Sequence, residues 1–147
     1  MKAMFVPAVV MAAILGQPAS AAAPPANPKS EVRLAAALDG MTAGPPVNCI
    51  DLQRIRSTEI VDGTAIVYRM DSRKLYVNRP VNGADSLRRN LILITKTFST
   101  QLCNVDIVRL RDQGSNFEAG FVSLGKFTPY EKAAKVAADV TTTRPSP

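Results

Sequence analysis

Between Val47 and Leu124 short apolar or β-branched clusters alternate with polar turns, the pattern of antiparallel strands rather than helices. Ile60-Val61, Thr64 to Tyr68 and Leu75 to Val77 are such clusters, separated by Asp62-Gly63 and Asp71-Ser72-Arg73. The spacing predicts an antiparallel meander over 56–61, 64–70 and 74–79, terminated by Pro80 and Asn82-Gly83. Leu91 to Thr95 is a continuous apolar run, which fits a strand buried on both faces. Val105 to Leu110 alternates, and Phe117 to Leu124 predicts a last strand.

The flanks of this region carry helix signals. Ser30 reads as an N-cap, Glu31 follows in the first turn, Leu34, Leu38 and Met41 recur at helical spacing, and Gly40 offers a stop. A short helix is expected at about 31–39, ended by Gly44-Pro45-Pro46. Thr128-Pro129-Tyr130-Glu131 reads as a capping box with proline at the first helical position. It predicts a helix from Pro129 to about Asp139 with Glu131 and Lys135 paired one turn apart and an alanine-rich apolar face. The expected fold class is α+β and mostly β: an antiparallel meander or small barrel stapled by one disulfide, with short helices at both ends.

The first residues read as a targeting segment. Lys2 precedes an apolar run from Phe5 to Leu15, Gly16-Gln17-Pro18 breaks it, and Ala19-Ser20-Ala21 supplies the small residues a signal peptidase reads. The run is shorter than the roughly 20 apolar residues that span a bilayer. The organisation expected is therefore a signal peptide at 1–21, a flexible leader at 22–30, one β-rich domain with terminal helices at 31–139 and a disordered tail at 140–147. A periplasmic or secreted mature protein without a transmembrane span follows. In that compartment Cys49 and Cys103, the only cysteines, are most simply a disulfide.

Composition removes several chemistries. The chain has no histidine, so imidazole-based catalysis and histidine-containing zinc sites are excluded, and two cysteines cannot form a Cys₄ site. No metal or other cofactor is expected. Ser123-Leu124-Gly125-Lys126 matches the Ser-x-x-Lys pattern of penicillin-interacting serine enzymes, but a glycine interrupts it and the companion motifs are missing. Asp51, Glu59, Asp62, Asp71, Asp85, Asp106 and Asp112 are scattered among turns and strands, and a glycosidase-type pair among them needs no proximity in sequence.

Charge is distributed unevenly. Lys+Arg exceeds Asp+Glu by 18 to 12, and loss of Lys2 with the signal peptide would leave +5. Seven cations from Arg69 to Lys96 against Asp71 and Asp85 account for that whole surplus. Arg73, Lys74, Arg88 and Arg89 are the candidate anion-binding residues if the two pairs meet in space, with Tyr68 and Tyr76 as stacking faces. A solvated sheet face with edge-protecting cations is the plainer alternative. The possible partners are an anionic envelope lipid or polymer, or another envelope protein. Export and the lack of a recognisable nucleic-acid motif argue against nucleic acid.

The order of Cys49-Ile50, Ile60-Val61-Asp62 before Thr64, Leu75-Tyr76-Val77-Asn78, Leu102-Cys103, Asp106 and Leu124-Gly125-Lys126-Phe127-Thr128-Pro129 resembles a group of small secreted proteobacterial proteins of unknown function. Relatives in that group often carry a second cysteine pair, near Asp85 to Leu87 and near Val122, and this chain lacks both members. The resemblance implies the fold and the compartment and assigns no activity. The leading expectation is a non-enzymatic envelope binding or accessory protein. The alternatives are a small periplasmic hydrolase using a carboxylate pair and an inhibitor or accessory subunit of a larger envelope enzyme. Exported protein should begin at Ala22 or within two residues of it; N-terminal sequencing that still finds Met1 would reject the targeting reading.

Overall fold

Alternation along the meander gives its strands two apolar faces, and each face has its own cover. The computed structural model describes residues 27–133. Helix α1 (Pro28–Ala37) is followed by β1 (Met41–Ala43), β2 (Cys49–Asp51), β3 (Ser57–Val61), β4 (Ala65–Arg69) and β5 (Lys74–Asn78). Strands β6 (Leu91–Thr95), β7 (Gln101–Cys103), β8 (Ile107–Asp112), β9 (Glu118–Ser123) and β10 (Phe127–Lys132) complete the described chain. They form a five-stranded sheet in the order β1-β10-β5-β4-β3, a three-stranded sheet β6-β8-β9 and a ribbon β2-β7, all antiparallel. Among the described residues the fold is mostly β with one disulfide and one short α-helix.

Val61, Ala65, Val67, Leu75 and Val77 point to one face of the five-stranded sheet and pack with Leu34 of α1. Ile60, Ile66, Tyr68 and Phe127 point to the other and meet Leu110, Val122, Leu102 and Ile50 from the smaller sheets. Cys49 and Cys103 are bonded and lie directly opposite each other in the ribbon, so the disulfide fixes the pair that delivers Ile50 and Leu102 to the core. Closing a loop with a sequence separation of 54 stabilises the fold by about 4 kcal/mol in the chain-entropy model.

The meander forms where the alternation predicts it. The flanks differ. The helix starts earlier, because Asn27 rather than Ser30 caps it: Asn27 Oδ1 accepts from the Lys29 N–H at 3.2 Å and Pro28 occupies the first turn. Residues 28–30 of the expected leader are thus helical, and Ser30 is buried. At the other flank, Phe127–Lys132 is a strand, so no helix starts at Pro129. Sheet pairing on both sides outweighs the local capping signal. The Pro129 carbonyl accepts from Gly44 N–H at 2.8 Å, so the side on which proline lacks its donor faces Gly44-Pro45-Pro46, where β1 has already ended. Glu131 pairs across the sheet with Lys74 at 2.6 Å instead of along a helix with Lys135. The signal peptide, most of the leader, the remainder of the expected C-terminal helix and the tail lie outside the described residues.

Two expectations about later strands also change. Leu91 and Leu93 of β6 face the core, but Ile92 is 44% exposed, so β6 is buried on one face only. Val105 is an exposed turn residue and β8 begins at Ile107.

A buried amide joins the two ends of the sequence pattern. Asn78 is fully buried at the end of β5; its Nδ2 donates to the Gly125 carbonyl at 2.6 Å and its Oδ1 accepts the Gly125 N–H at 3.1 Å. Only glycine fits there, since a Cβ on Gly125 would stand 2.3 Å from the Arg79 carbonyl oxygen. Asn78→Ala should cost about 2–4 kcal/mol in urea unfolding, because it strands a buried N–H and a buried C=O. A loss below about 1 kcal/mol would show that water replaces the amide without penalty.

Candidate functional site

The four candidate cations do not form one patch. Arg73 and Lys74 lie at the β4–β5 turn, beside Asp71, Glu131 and Lys132. Arg88 and Arg89 lie against the β3–β4 turn, where Arg89 holds Asp62 through its backbone N–H at 2.7 Å and its Nε at 2.9 Å. Strand β4 separates the two turns by five residues, roughly 17 Å of extended chain. Each pair is also largely compensated. Three cations face two carboxylates in the first hollow, and two face Asp62 in the second, leaving one net positive charge in each. Lys74 sits over the Tyr76 ring at 5.5 Å, and Arg88 donates to the Asp85 and Leu87 carbonyls. Tyr68 offers no stacking face. It is buried edge-on to Phe127, burial pushes its hydroxyl pKa up, and the hydroxyl has no hydrogen-bond partner among the described residues.

The carboxylates hold turns rather than converge. Asp51 accepts from Gln53 N–H at 2.9 Å, Asp71 from Arg73 N–H at 2.7 Å and Lys74 N–H at 2.9 Å, and Asp106 from Cys103 N–H at 2.7 Å. Asp112 accepts from Gly114, Ser115 and Asn90, while Glu59 pairs with Arg33 at 3.0 Å. Asp85 is exposed in the middle of the 3₁₀ turn Ala84–Ser86. A general acid needs a carboxyl held protonated near neutral pH, and the resolved shifts run the other way. The Arg79 guanidinium holds Glu31 below its ordinary range, the Arg73 and Lys74 amides lower Asp71, and the Ser115 amide and hydroxyl lower Asp112. Among the described residues no three potential ligands gather as a metal site. Ser123 ends β9 and Leu124 to Lys126 is a connecting segment, so the one-turn spacing that Ser-x-x-Lys chemistry requires is absent.

The arrangement able to bind something is the outward face of the three-stranded sheet. Pairing sets Ile92 beside Arg111 and aligns Ile94, Arg109 and Phe121 across the three strands. Val108 and Leu110, one residue out of phase, point into the core. Ile107 and Phe121 are 55% and 56% exposed on that outward face, and Phe117 projects from the β8–β9 hairpin. Lys96, Arg109 and Arg111 gather around Ile94 with Glu118 as the nearby carboxylate, a net charge of +2. The Arg109–Glu118 contact is long, at 3.8 Å between two largely exposed side chains, and leaves the guanidinium free to change partners. The sequence reading missed this face. Its signal was the alternation Ile107-Val108-Arg109-Leu110-Arg111, which puts both arginines on one side of β8.

No family model, curated protein or solved structure matches the chain. Among the described residues no helix is long and apolar enough to cross a membrane.

The three depressed carboxyls make stability pH-dependent in one direction. Each contributes above its unfolded pKa, near 4, and the contribution is lost as pH falls through the lower folded value. The thermal midpoint should stay level from about pH 8 to about pH 5 and fall below about pH 4. Equal midpoints at about pH 3 and about pH 7 would contradict this assignment.

Proposed function

We propose that the chain is an exported member of the small secreted proteobacterial group it resembles, acting as a non-enzymatic binding protein for another envelope protein. Its partner presents acidic and apolar side chains to the outward face of β6, β8 and β9. The observation that carries this reading is the set of exposed Ile92, Ile107 and Phe121 around Arg109 and Arg111 on one sheet face. Apolar side chains gathered on one surface favour a macromolecular partner, and arginine among aromatic residues is typical of interface anchors. The Cys49–Cys103 bond supports an oxidising compartment. Six of the seven candidate carboxylates are committed to turns or ion pairs, which favours this reading over a carboxylate-pair hydrolase.

A photoreactive phenylalanine analogue at Phe121, in protein expressed in its native envelope, should give a discrete protein adduct. The adduct should disappear when Arg109 and Arg111 are both replaced by glutamate. The same probe at Val32, 71% exposed on α1, should not give it. Lipid adducts in place of protein, or equal adducts from both positions, would overturn the reading.

A further inference from the structure

We infer that β6 pairs antiparallel with β6 of a second copy, making a continuous six-stranded sheet across a two-fold axis at Leu93.

The free edges of the sheets are unequal. β1 is three residues long and runs into Gly44-Pro45-Pro46, both of which blunt an edge. β3 carries Glu59, paired with Arg33 of α1. β9 is covered at its end by backbone bonds from Val81 N–H to the Ser123 carbonyl at 2.9 Å and from Ser123 N–H to the Asn82 carbonyl at 3.1 Å. β6 has no such protection. Leu91-Ile92-Leu93-Ile94-Thr95 holds no charge, proline or register irregularity, and among the described residues only β8 pairs with it. An exposed apolar edge of this kind recruits another strand.

Its backbone is oriented for one. Gln113 N–H donates to the Asn90 carbonyl, so even-numbered residues of β6 bond toward β8. Leu93 and Thr95 therefore direct both N–H and C=O to the free edge. Leu91 directs its carbonyl there, its N–H being bound to the Arg88 carbonyl. A two-fold axis at Leu93 places Leu93 opposite the partner's Leu93, Thr95 opposite the partner's Leu91 and Ile92 opposite the partner's Ile94. Four hydrogen bonds close, two at the Leu93 pair and one at each Thr95 N–H. Apolar side chains meet apolar ones on the outward face, and Asn90, not an arginine, stands opposite the partner's Lys96. Shifting the axis to Ile92 would put Arg88 opposite the partner's Lys96; shifting it to Ile94 would put Ile92 opposite that lysine. The sequence thus selects one register.

Space is available beside the strand. A cleft of about 650 Å³ runs between Leu91 to Leu93 and Thr58 to Ile60. A strand pair with adjoining side chains is a small interface, which makes the dimer concentration-dependent rather than permanent. This inference shares Ile92 with the proposed envelope-partner face but has its own readout, since a photo-adduct at Phe121 can persist with monomeric protein.

Sedimentation of the oxidised protein from about 1 to about 500 μM should show a monomer–dimer equilibrium. Leu93→Pro removes an edge-facing N–H and leaves the β6–β8 ladder its bonds, though it also trims a side chain packed against the core, and it should weaken dimerisation at least about tenfold. Ile92→Lys, at an exposed position, should do the same with a nearly unchanged thermal midpoint, which covers the case in which the proline variant fails to fold. Leu93→Cys should crosslink two copies on oxidation, because hydrogen-bonded partners stand about 5.5 Å apart between Cα atoms, within disulfide range. Ile94→Cys, two residues out of register with its own copy, should crosslink far less. A monomer at every concentration, dimerisation undiminished in Ile92→Lys, or equal crosslinking at 93 and 94 would overturn the inference.

Discussion

The amide of Asn78 does work that no strand can do at that position. β5 ends there, β9 and β10 are joined through Leu124 to Lys126, and the connecting backbone passes through the core, where Gly125 is shielded from water. Buried peptide groups need partners, and the connection is too irregular to find them in a ladder. Asn78 supplies one donor and one acceptor in a single planar group, matched to the Gly125 C=O and N–H. Tethering that connection allows β9 to leave the three-stranded sheet and β10 to enter the five-stranded one within four residues. The two layers consequently face each other with Phe127 between them.

A second constraint acts at the opposite side of the core. The ribbon of β2 and β7 is only three residues on each strand, too short to hold its own pairing, and the disulfide lies at its first register position. Asp106 then fixes the turn after Cys103, and its carbonyl accepts from Leu124 N–H at 3.1 Å, beside the Asn78 tether. Cys49, Asn78, Cys103, Asp106 and Gly125 therefore belong to one supporting network.

How much of this was legible depended on whether a signal was local. The meander could be read because β3, β4 and β5 are neighbours in sequence and in the sheet, with turns built from Asp62-Gly63 and Asp71 to Arg73. The disulfide was legible because the chain has a single pair of cysteines. The strand at Phe127–Lys132 was not, since Thr128-Pro129-Tyr130-Glu131 is a good local helix start and its strand partners lie at Met41–Ala43 and Lys74–Asn78. β6 was misread because a uniform apolar run does not reveal that only one of its faces is covered. The candidate cations were grouped by proximity in sequence, but a hairpin sends its two turns to opposite ends, so Arg73 and Arg89 are kept apart by the regularity that made the meander easy to see.

Strand order has a consequence for how the chain reaches this state. Among the described residues β1 pairs only with β10, so Met41 must wait for Lys132, and β2 pairs only with β7. β10 is the last described strand in sequence, yet it sits second from the edge, between β1 and β5. Until it is delivered, the Lys74–Asn78 edge lacks its neighbour, Asn78 lacks Gly125 and the core lacks Phe127. Contacts across so long a stretch of sequence favour slow folding, because loop closure must be offset before the contacts reward it. A nascent chain that has not yet released its final strand cannot complete the sheet, so the two layers close on Phe127 only after almost the whole described chain has been made.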